Sequence, residues 1–298
     1  MSRKMKGTLA VILSGIMFGL MPITAKFIYA NGSNPLTLTL HRFFFSIPFL
    51  WIVMKMKGET IRIPRKEDLP KLFVVSSGII VTPILLYLSY SYISTGLGTT
   101  LHFVYPVLVL LGGAIFFKQR VDLIRGICCA LCLAGIIAFY TPGGGSGSTF
   151  GIILALASGL SFAYYVLLLE HGGLNHYSPL QMAFYFGIIG SISLFILNLL
   201  FNTLTMNLTP QGWIASVLFG IGISGVAVVL FQYGVNQVGS QNTSLLSTFE
   251  PLTSVLVGIL FMNEQLTLPS TIGISLILLA ILILGVADRK KPVTAEAS

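Results

Sequence analysis

Very few charged side chains fall inside the apolar stretches of this 298-residue chain, and those few are the ones placed to do chemistry. Glu250 lies about nine residues into one such stretch, and the pair His41-Arg42 about eight residues into another. His102 stands four positions before Pro106. An ionised group at that depth costs a few kcal/mol on insertion scales, so each is a functional candidate by default. A carboxyl there can take up and release a proton as its surroundings change. It can equally serve as counter-ion to an amine on a solute, cap the backbone near Pro251, or pair permanently with Arg42. Arg42 is too deep to snorkel. It either sits in a structural ion pair or binds a solute carboxylate through its fork of N–H donors. A midspan imidazole such as His102 can relay protons, donate to a solute or bond a neighbouring hydroxyl. Lys26, nearer the end of its stretch, reaches the headgroups.

The elements that must hold these residues follow from composition. Hydrophobic residues make up 55% of the chain and charged ones 9%, with a mean hydropathy of +0.91. Charged residues are about a quarter of a soluble globule, so this is a polytopic membrane protein. Ten helical spans are expected, at 7–30, 34–55, 71–93, 97–117, 122–140, 151–170, 179–201, 211–237, 241–262 and 267–287. Most are close to the ~20 residues that cross the hydrocarbon, and none alternates as a barrel strand does. The first lacks a small-residue cleavage site and is expected to remain in the mature chain.

The net charge of +8 does not point to nucleic acid, because fifteen of the 17 basic residues map to one side. They precede span 1 (Arg3, Lys4, Lys6), join spans 2 and 3 (Lys55, Lys57, Arg62, Arg65, Lys66, Lys71), join spans 4 and 5 (Lys118, Arg120, Arg125), and form the tail (Arg289, Lys290, Lys291). The positive-inside rule makes that side the cytoplasm, with both termini on it. An even number of spans is required for the tail to return there.

The chain is also a duplication. Phe103-Val104-Tyr105-Pro106 recurs 145 residues later as Thr248-Phe249-Glu250-Pro251, and Leu101, Gly113 and Phe116 fall on Leu246, Gly258 and Phe261. At an offset of 144, Gly7, Ser14, Gly15, Phe18 and Pro35 meet Gly151, Ser158, Gly159, Phe162 and Pro179. A period of half the chain means two whole structural units. Residues 1–140 and 151–288 are then five-helix repeats, joined by the Gly/Ser linker 141–150 and followed by a cytoplasmic tail, 289–298. Five is odd, so the second repeat enters the membrane upside down. The fold class expected is an all-α integral membrane protein, ten transmembrane helices in two inverted-topology five-helix repeats, the plan many secondary transporters use.

The prolines Pro106 and Pro251 free a backbone carbonyl one turn earlier, near His102 and Ser247, and are the expected hinges. His102, Tyr105, Ser247 and Glu250 on that turn are the expected cavity wall. Tyr87 with Tyr90, and Gln232 with Asn236, are spaced to share a helix face and add hydrogen-bonding groups; Tyr164 and Tyr165 add aromatic surface. Tyr92 and Tyr140, at span ends, read as interfacial belt.

Other features read as packing. Gly15-x-x-x-Gly19 and Gly159-x-x-x-Ala163 let helices approach closely within the chain, with a dimer face as the alternative. Cys128, Cys129 and Cys132 have no His or carboxylate nearby in sequence, so no metal is expected. The linker lacks the Lys of a phosphate loop and follows no strand.

Ten spans in two inverted halves, with Pro, an apolar helix and then Phe-x-x-[Gln/Glu] from Pro106 to Gln119 and from Pro251 to Glu264, resemble the drug/metabolite transporter superfamily. More narrowly the chain is similar to the EamA family over nearly its whole length, including Arg42-Phe43 in span 2. The family's usual Glu at the end of span 4 is Gln119 here, while Glu264 keeps it in the second half. The resemblance implies export or uptake of amino acids and related metabolites by alternating access, without a nucleotide. The expected protein is a secondary active transporter of the inner (plasma) membrane, exporting a small organic solute through a central cavity. Lipid, the solute and protons are its partners, and no cofactor or nucleic acid is. An integral membrane enzyme would need clustered intramembrane His, Asp or Glu, and the spans offer His41, His102 and Glu250 without metal spacing. A passive channel would show a ring of charges or a repeated filter, and neither is present.

Overall fold

The structure is a computed structural model, and it describes residues 3–59, 64–118, 123–139, 148–247, 249–262 and 268–289. These residues form helices and their connections, with no strand among them. In chain order the helices are α1 (Arg3–Gly19), α2 (Met21–Ala30), α3 (Pro35–Phe44), α4 (Ser46–Met56), α5 (Leu69–Ser89), α6 (Thr95–His102), α7 (Tyr105–Phe117) and α8 (Leu123–Phe139). They continue as α9 (Thr149–His171), α10 (Pro179–Leu200), α11 (Pro210–Phe219), a π-helical stretch (Gly220–Ala227), α12 (Val228–Val238), α13 (Ser240–Leu246), α14 (Phe249–Met262) and α15 (Leu268–Arg289).

Among the described residues, eight helical segments are long and apolar enough to cross a membrane: Arg3–Ala30, Pro35–Met56, Leu69–Ser89, Thr95–Phe117, Thr149–His171, Pro179–Leu200, Pro210–Val238 and Asn242–Phe261. The protein is therefore a multi-pass membrane protein. Helices α8 and α15 lie against each other beside them. Gln119, Tyr140, Glu264, the linker segment 141–147 and the tail 290–298 lie outside the described residues.

Helix starts are set by a shared device. Asn34 accepts from the Thr37 backbone with Pro35 next in line, and Ser178 makes a capping box with Gln181, followed by Pro179. Thr209 and Pro210 do the same for α11. An Asn, Ser or Thr cap satisfies a free N–H of the first turn, and Pro gives up a donor that the turn leaves unpaired anyway.

Several expected spans are not continuous α-helices, and the cause can be read in each. Pro106 has no N–H to give the His102 carbonyl, and the chain passes from α6 to α7 through shorter bonds, Val104 N to Leu101 O at 3.2 Å and Val107 N to Val104 O at 3.0 Å. Pro251 does the same at Ser247, whose carbonyl instead accepts from Glu250 N at 2.8 Å. The span holding Arg42 breaks at Phe45, between α3 and α4, and the span read as 211–237 carries the π-helical stretch in its middle. Three glycines and an alanine, of low helix propensity or small size, occupy that eight-residue stretch.

The halves are interlocked. Helix α1, from the first half, packs on α12 and α14 of the second, while α9, from the second, packs on α5, α6 and α7 of the first. The contact points are repeat mates. A Cβ on Gly159 would lie 2.6 Å from the His102 carbonyl, to which Pro106 has no N–H to give, and one on Gly15 would lie 3.5 Å from the Ser247 carbonyl, to which Pro251 has none. Gly7 and Gly151, also mates, abut Gln237 and Tyr92 in the same reciprocal manner.

At the end carrying the connections 57–68 and 172–178, the halves are joined by polar groups. Asp68 accepts from the Tyr177 hydroxyl at 2.9 Å and from His176 Nε2 at 3.0 Å, with Lys71 Nζ at 3.7 Å. Burial pushes the Asp68 carboxyl up, but those two hydrogen bonds and the nearby His176 and Lys71 charges outweigh it and hold it below the usual carboxylate value. A depressed folded-state value means stabilisation that is present above the unfolded value of ~3.9 and lost as pH falls through the folded one. The thermal-unfolding gap between wild type and Asp68→Asn in detergent is expected at pH 6 and should close on acidification below that range. A gap constant down to strong acid would show that the Asp68 charge does not hold these connections together.

Candidate functional site

The breaks in the helices bring three of the sequence candidates to one place. A cavity between the halves is lined by Arg42 of α3, His102 of α6 and Glu250 of α14. Its apolar wall includes Phe18 and Phe162, a repeat pair, with Phe231 between them at centroid distances of 6.4 and 5.4 Å. Tyr165 lies 5.5 Å from Phe162, and Met21, Thr82 and Pro83 complete much of the rest.

Arg42 is 5% exposed and is held by hydroxyls. Its Nε donates to Ser224 Oγ at 2.8 Å, and its Nη1 donates to the Tyr87 hydroxyl at 3.0 Å. Tyr87 in turn lies 3.4 Å from Met21 Sδ. Nη1 also donates to Met21 Sδ at 4.0 Å, so three of the guanidinium's five N–H donors are fixed, and Nη2 makes no hydrogen bond among the described residues. Ser224 reaches Arg42 from the π-helical stretch, where the altered winding re-aims side chains.

Glu250 is 2% exposed and stands in the first turn of α14, where the unpaired N–H groups and the helix dipole favour a negative charge. Gly15 and Gly19 of α1 press on its backbone, a Cβ on Gly19 falling 2.6 Å from the Glu250 carbonyl, so nothing larger fits there. Its carboxylate has no hydrogen-bond partner among the described residues, and no ion pair within 4.0 Å joins it to Arg42. The acid and the guanidinium therefore line one cavity without forming a contact pair.

His102 is 3% exposed, with Nδ1 2.9 Å from Ser158 Oγ and its ring beside Tyr105 and Phe162, each centroid at 5.5 Å. The remaining candidates sit further out. Tyr105 packs on Phe162 at 4.7 Å, Tyr90 bonds Thr99 at 3.0 Å, and Ser247 donates to the Thr243 carbonyl at 2.9 Å. Gln232 is buried and donates to the Tyr165 hydroxyl at 3.2 Å, whereas Asn236 is exposed, one turn further along the same helix. Pro106 and Pro251 occupy the first turns of α7 and α14. Lys26 is half-buried and not part of the cavity wall. His41 faces Trp213 and Phe45 rather than the cavity. Among the described residues no group of three or more His, Cys, Asp or Glu comes together to hold a metal.

Sequence reasoning did not single out Ser224, Met21, Phe231 or Thr82 for the site. Phe18, Phe162 and Ser158 carried a signal, since each belongs to a matched repeat pair. For Ser224 the signal was a hydroxyl amid the glycines Gly220, Gly222 and Gly225 of an otherwise apolar span.

A helical multi-pass protein of two interlocked repeats, enclosing an aromatic cavity lined by a carboxyl and a guanidinium, has the architecture of a membrane transporter. The comparisons carry this to a family. The profile of the EamA-like transporter family matches residues 5–141 and again 149–286. The chain belongs to that family, in its two-repeat form. It is 29% identical over 286 residues to an uncharacterized transporter of Archaeoglobus fulgidus, covering 93% of this chain and 95% of the other. Similarity also extends to the uncharacterized inner membrane transporter YicL of Salmonella typhimurium, 22% identical with 96% and 97% covered. A further match, to the uncharacterized transporter YwfM of Bacillus subtilis, is 33% identical over 150 residues, half of this chain. A solved crystal structure shares the fold, with a TM-score of 0.74 at 16% identity, over 95% of this chain and 99% of that one.

Proposed function

We propose that this membrane transporter is a secondary active carrier that exports a small organic solute, an amino acid or a related compound, by alternating access through the Arg42–Glu250 cavity. The observation that carries the reading is a carboxyl and a guanidinium lining one aromatic cavity without contacting each other. A solute with an anionic and a cationic end satisfies both, and the rings around Phe231 take an apolar body. Glu250 can carry a proton when the solute is absent and give it up to water when the solute's cation takes its place, which would couple transport to a proton gradient.

In this reading the ten helical segments cross the membrane ten times, the repeats 1–140 and 151–288 are inverted, and both termini face the cytoplasm of the inner membrane. The reciprocal contacts of Gly15 and Gly159 support the inversion, and the one-sided basic residues support the orientation. The hinges are the breaks before Pro106 and Pro251.

Counterflow in proteoliposomes tests the mechanism. Preloading with unlabelled amino acid is expected to accelerate entry of the labelled compound severalfold, since a carrier returns faster when loaded. Entry indifferent to the solute on the far side would indicate a passive pore and overturn the carrier.

A further inference from the structure

A hydroxyl has one proton to donate, and that of Ser158 lies 2.6 Å from the Ala155 carbonyl, which can only accept it. His102 Nδ1 lies 2.9 Å from the same Ser158 oxygen. With the hydroxyl proton already committed, the imidazole must be the donor in that contact. The neutral His102 imidazole is therefore the Nδ1–H tautomer, with a lone pair on Nε2. Nε2 has no partner among the described residues, and the ring lines the cavity beside Tyr105 and Phe162.

The repeat mates do not reproduce this arrangement. Ser14, the mate of Ser158, donates to the Ala227 carbonyl at 2.9 Å, and the mate of His102 is Ser247, whose hydroxyl turns back to Thr243. The duplication thus supplied two serines on equivalent helices and only one of them governs an imidazole.

We propose that Ser158 is a positioning residue that locks His102 as a hydrogen-bond acceptor toward the cavity, so that the solute end placed there must be a donor, an ammonium or a hydroxyl. This rests on the transport reading above and sharpens it. Glu250 is also an acceptor, and Arg42 and the Thr82 and Tyr165 hydroxyls are the remaining polar groups of the wall. The cavity then offers acceptors at His102 and Glu250 and a donor at Arg42. A solute enters in one orientation, and a carboxylate is refused at His102 because two lone-pair carriers would face it.

The tautomer is measurable on the protein alone. Nitrogen-15 NMR of protein labelled at histidine, with the His102 signals assigned by their loss in His102→Gln, should show a protonated Nδ1 and a bare Nε2 in the wild type. Ser158→Ala should give a mixture of tautomers, and Ser158→Thr, which can also bond back to a carbonyl one turn earlier, should restore the wild-type pattern. A wild-type spectrum with the proton on Nε2 overturns the proposal even if transport persists. The solute arm uses leucine and its deaminated counterpart 4-methylpentanoate, read by thermal stabilisation of purified protein. Ser158→Ala should raise the leucine concentration needed about tenfold and leave that of the acid unchanged. An equal change for both, or no stabilisation by leucine in the wild type, overturns the assignment of His102 as the acceptor for the solute, while a failed transport reading leaves the tautomer result standing.

Discussion

Glu250→Gln should abolish counterflow or reduce it by about ten- to a hundredfold while leaving folded protein in the membrane. The side chain keeps its size and its place in the first turn of α14, against Gly15 and Gly19, so packing is preserved. What is lost is the negative charge and the capacity to bind and release a proton. A hydrogen bond to a charged group is worth roughly 1.5–3 kcal/mol, which sets the loss in solute affinity at that range, since ~1.4 kcal/mol is tenfold. If Glu250 is the coupling group, residual transport should also become indifferent to a pH gradient. Purified Glu250→Gln that transports at the wild-type rate with the wild-type pH dependence would remove Glu250 from both roles. No structural explanation would rescue it, because its carboxylate bonds nothing else among the described residues.

Arg42→Met carries a second large effect, and it differs in kind. Arg42 has structural partners, so its removal strands the Tyr87 hydroxyl against Met21 and leaves Ser224 without its contact. Each buried polar group left unpaired costs about 1–3 kcal/mol, so a clear fall in thermal stability is expected along with loss of solute binding. Arg42→Lys should not rescue binding, because an ammonium cannot hold two hydroxyls in fixed directions and still present a planar donor pair to the cavity. The informative measurement is the solute-dependent rise in unfolding temperature. It should vanish in both variants, whereas baseline stability should fall more in Met than in Lys. Solute stabilisation retained in Arg42→Met would assign Arg42 to the scaffold alone.

Much of this architecture was legible because it rests on periodic or repeated signals. The proline pairs fixed where two helices break, since a missing N–H has one consequence wherever it occurs. Asn34-Pro35 and Ser178-Pro179 marked equivalent helix starts in the two halves. Depth in an apolar run was enough to single out Arg42, His102 and Glu250, because few positions can hold a charge there. What the sequence did not disclose depends on winding and on contacts between distant segments. The π-helical stretch that brings Ser224 to Arg42 reads as an ordinary apolar span, since hydropathy does not distinguish i+4 from i+5 bonding. Gln232 and Asn236 share a spacing, yet one is buried and the other exposed, because α12 meets its neighbours on a face that spacing alone does not orient. Asp68 and His176 looked like unrelated loop residues, 108 positions apart, until folding made them partners.

The reciprocal packing of the two glycine-bearing helices also bears on how the chain reaches its fold. Gly15 and the Glu250 backbone it abuts are 235 residues apart, so α1 finds its seat only once the 235 residues that follow Gly15 have been made. Until then α1 lacks the surface it was shaped to fit, and neither half can finish burying its own broken helix alone. Contacts of such long range close late and slowly, after local helices have formed. The cavity, which lies at that final junction, is thus among the last features of the protein to come into existence.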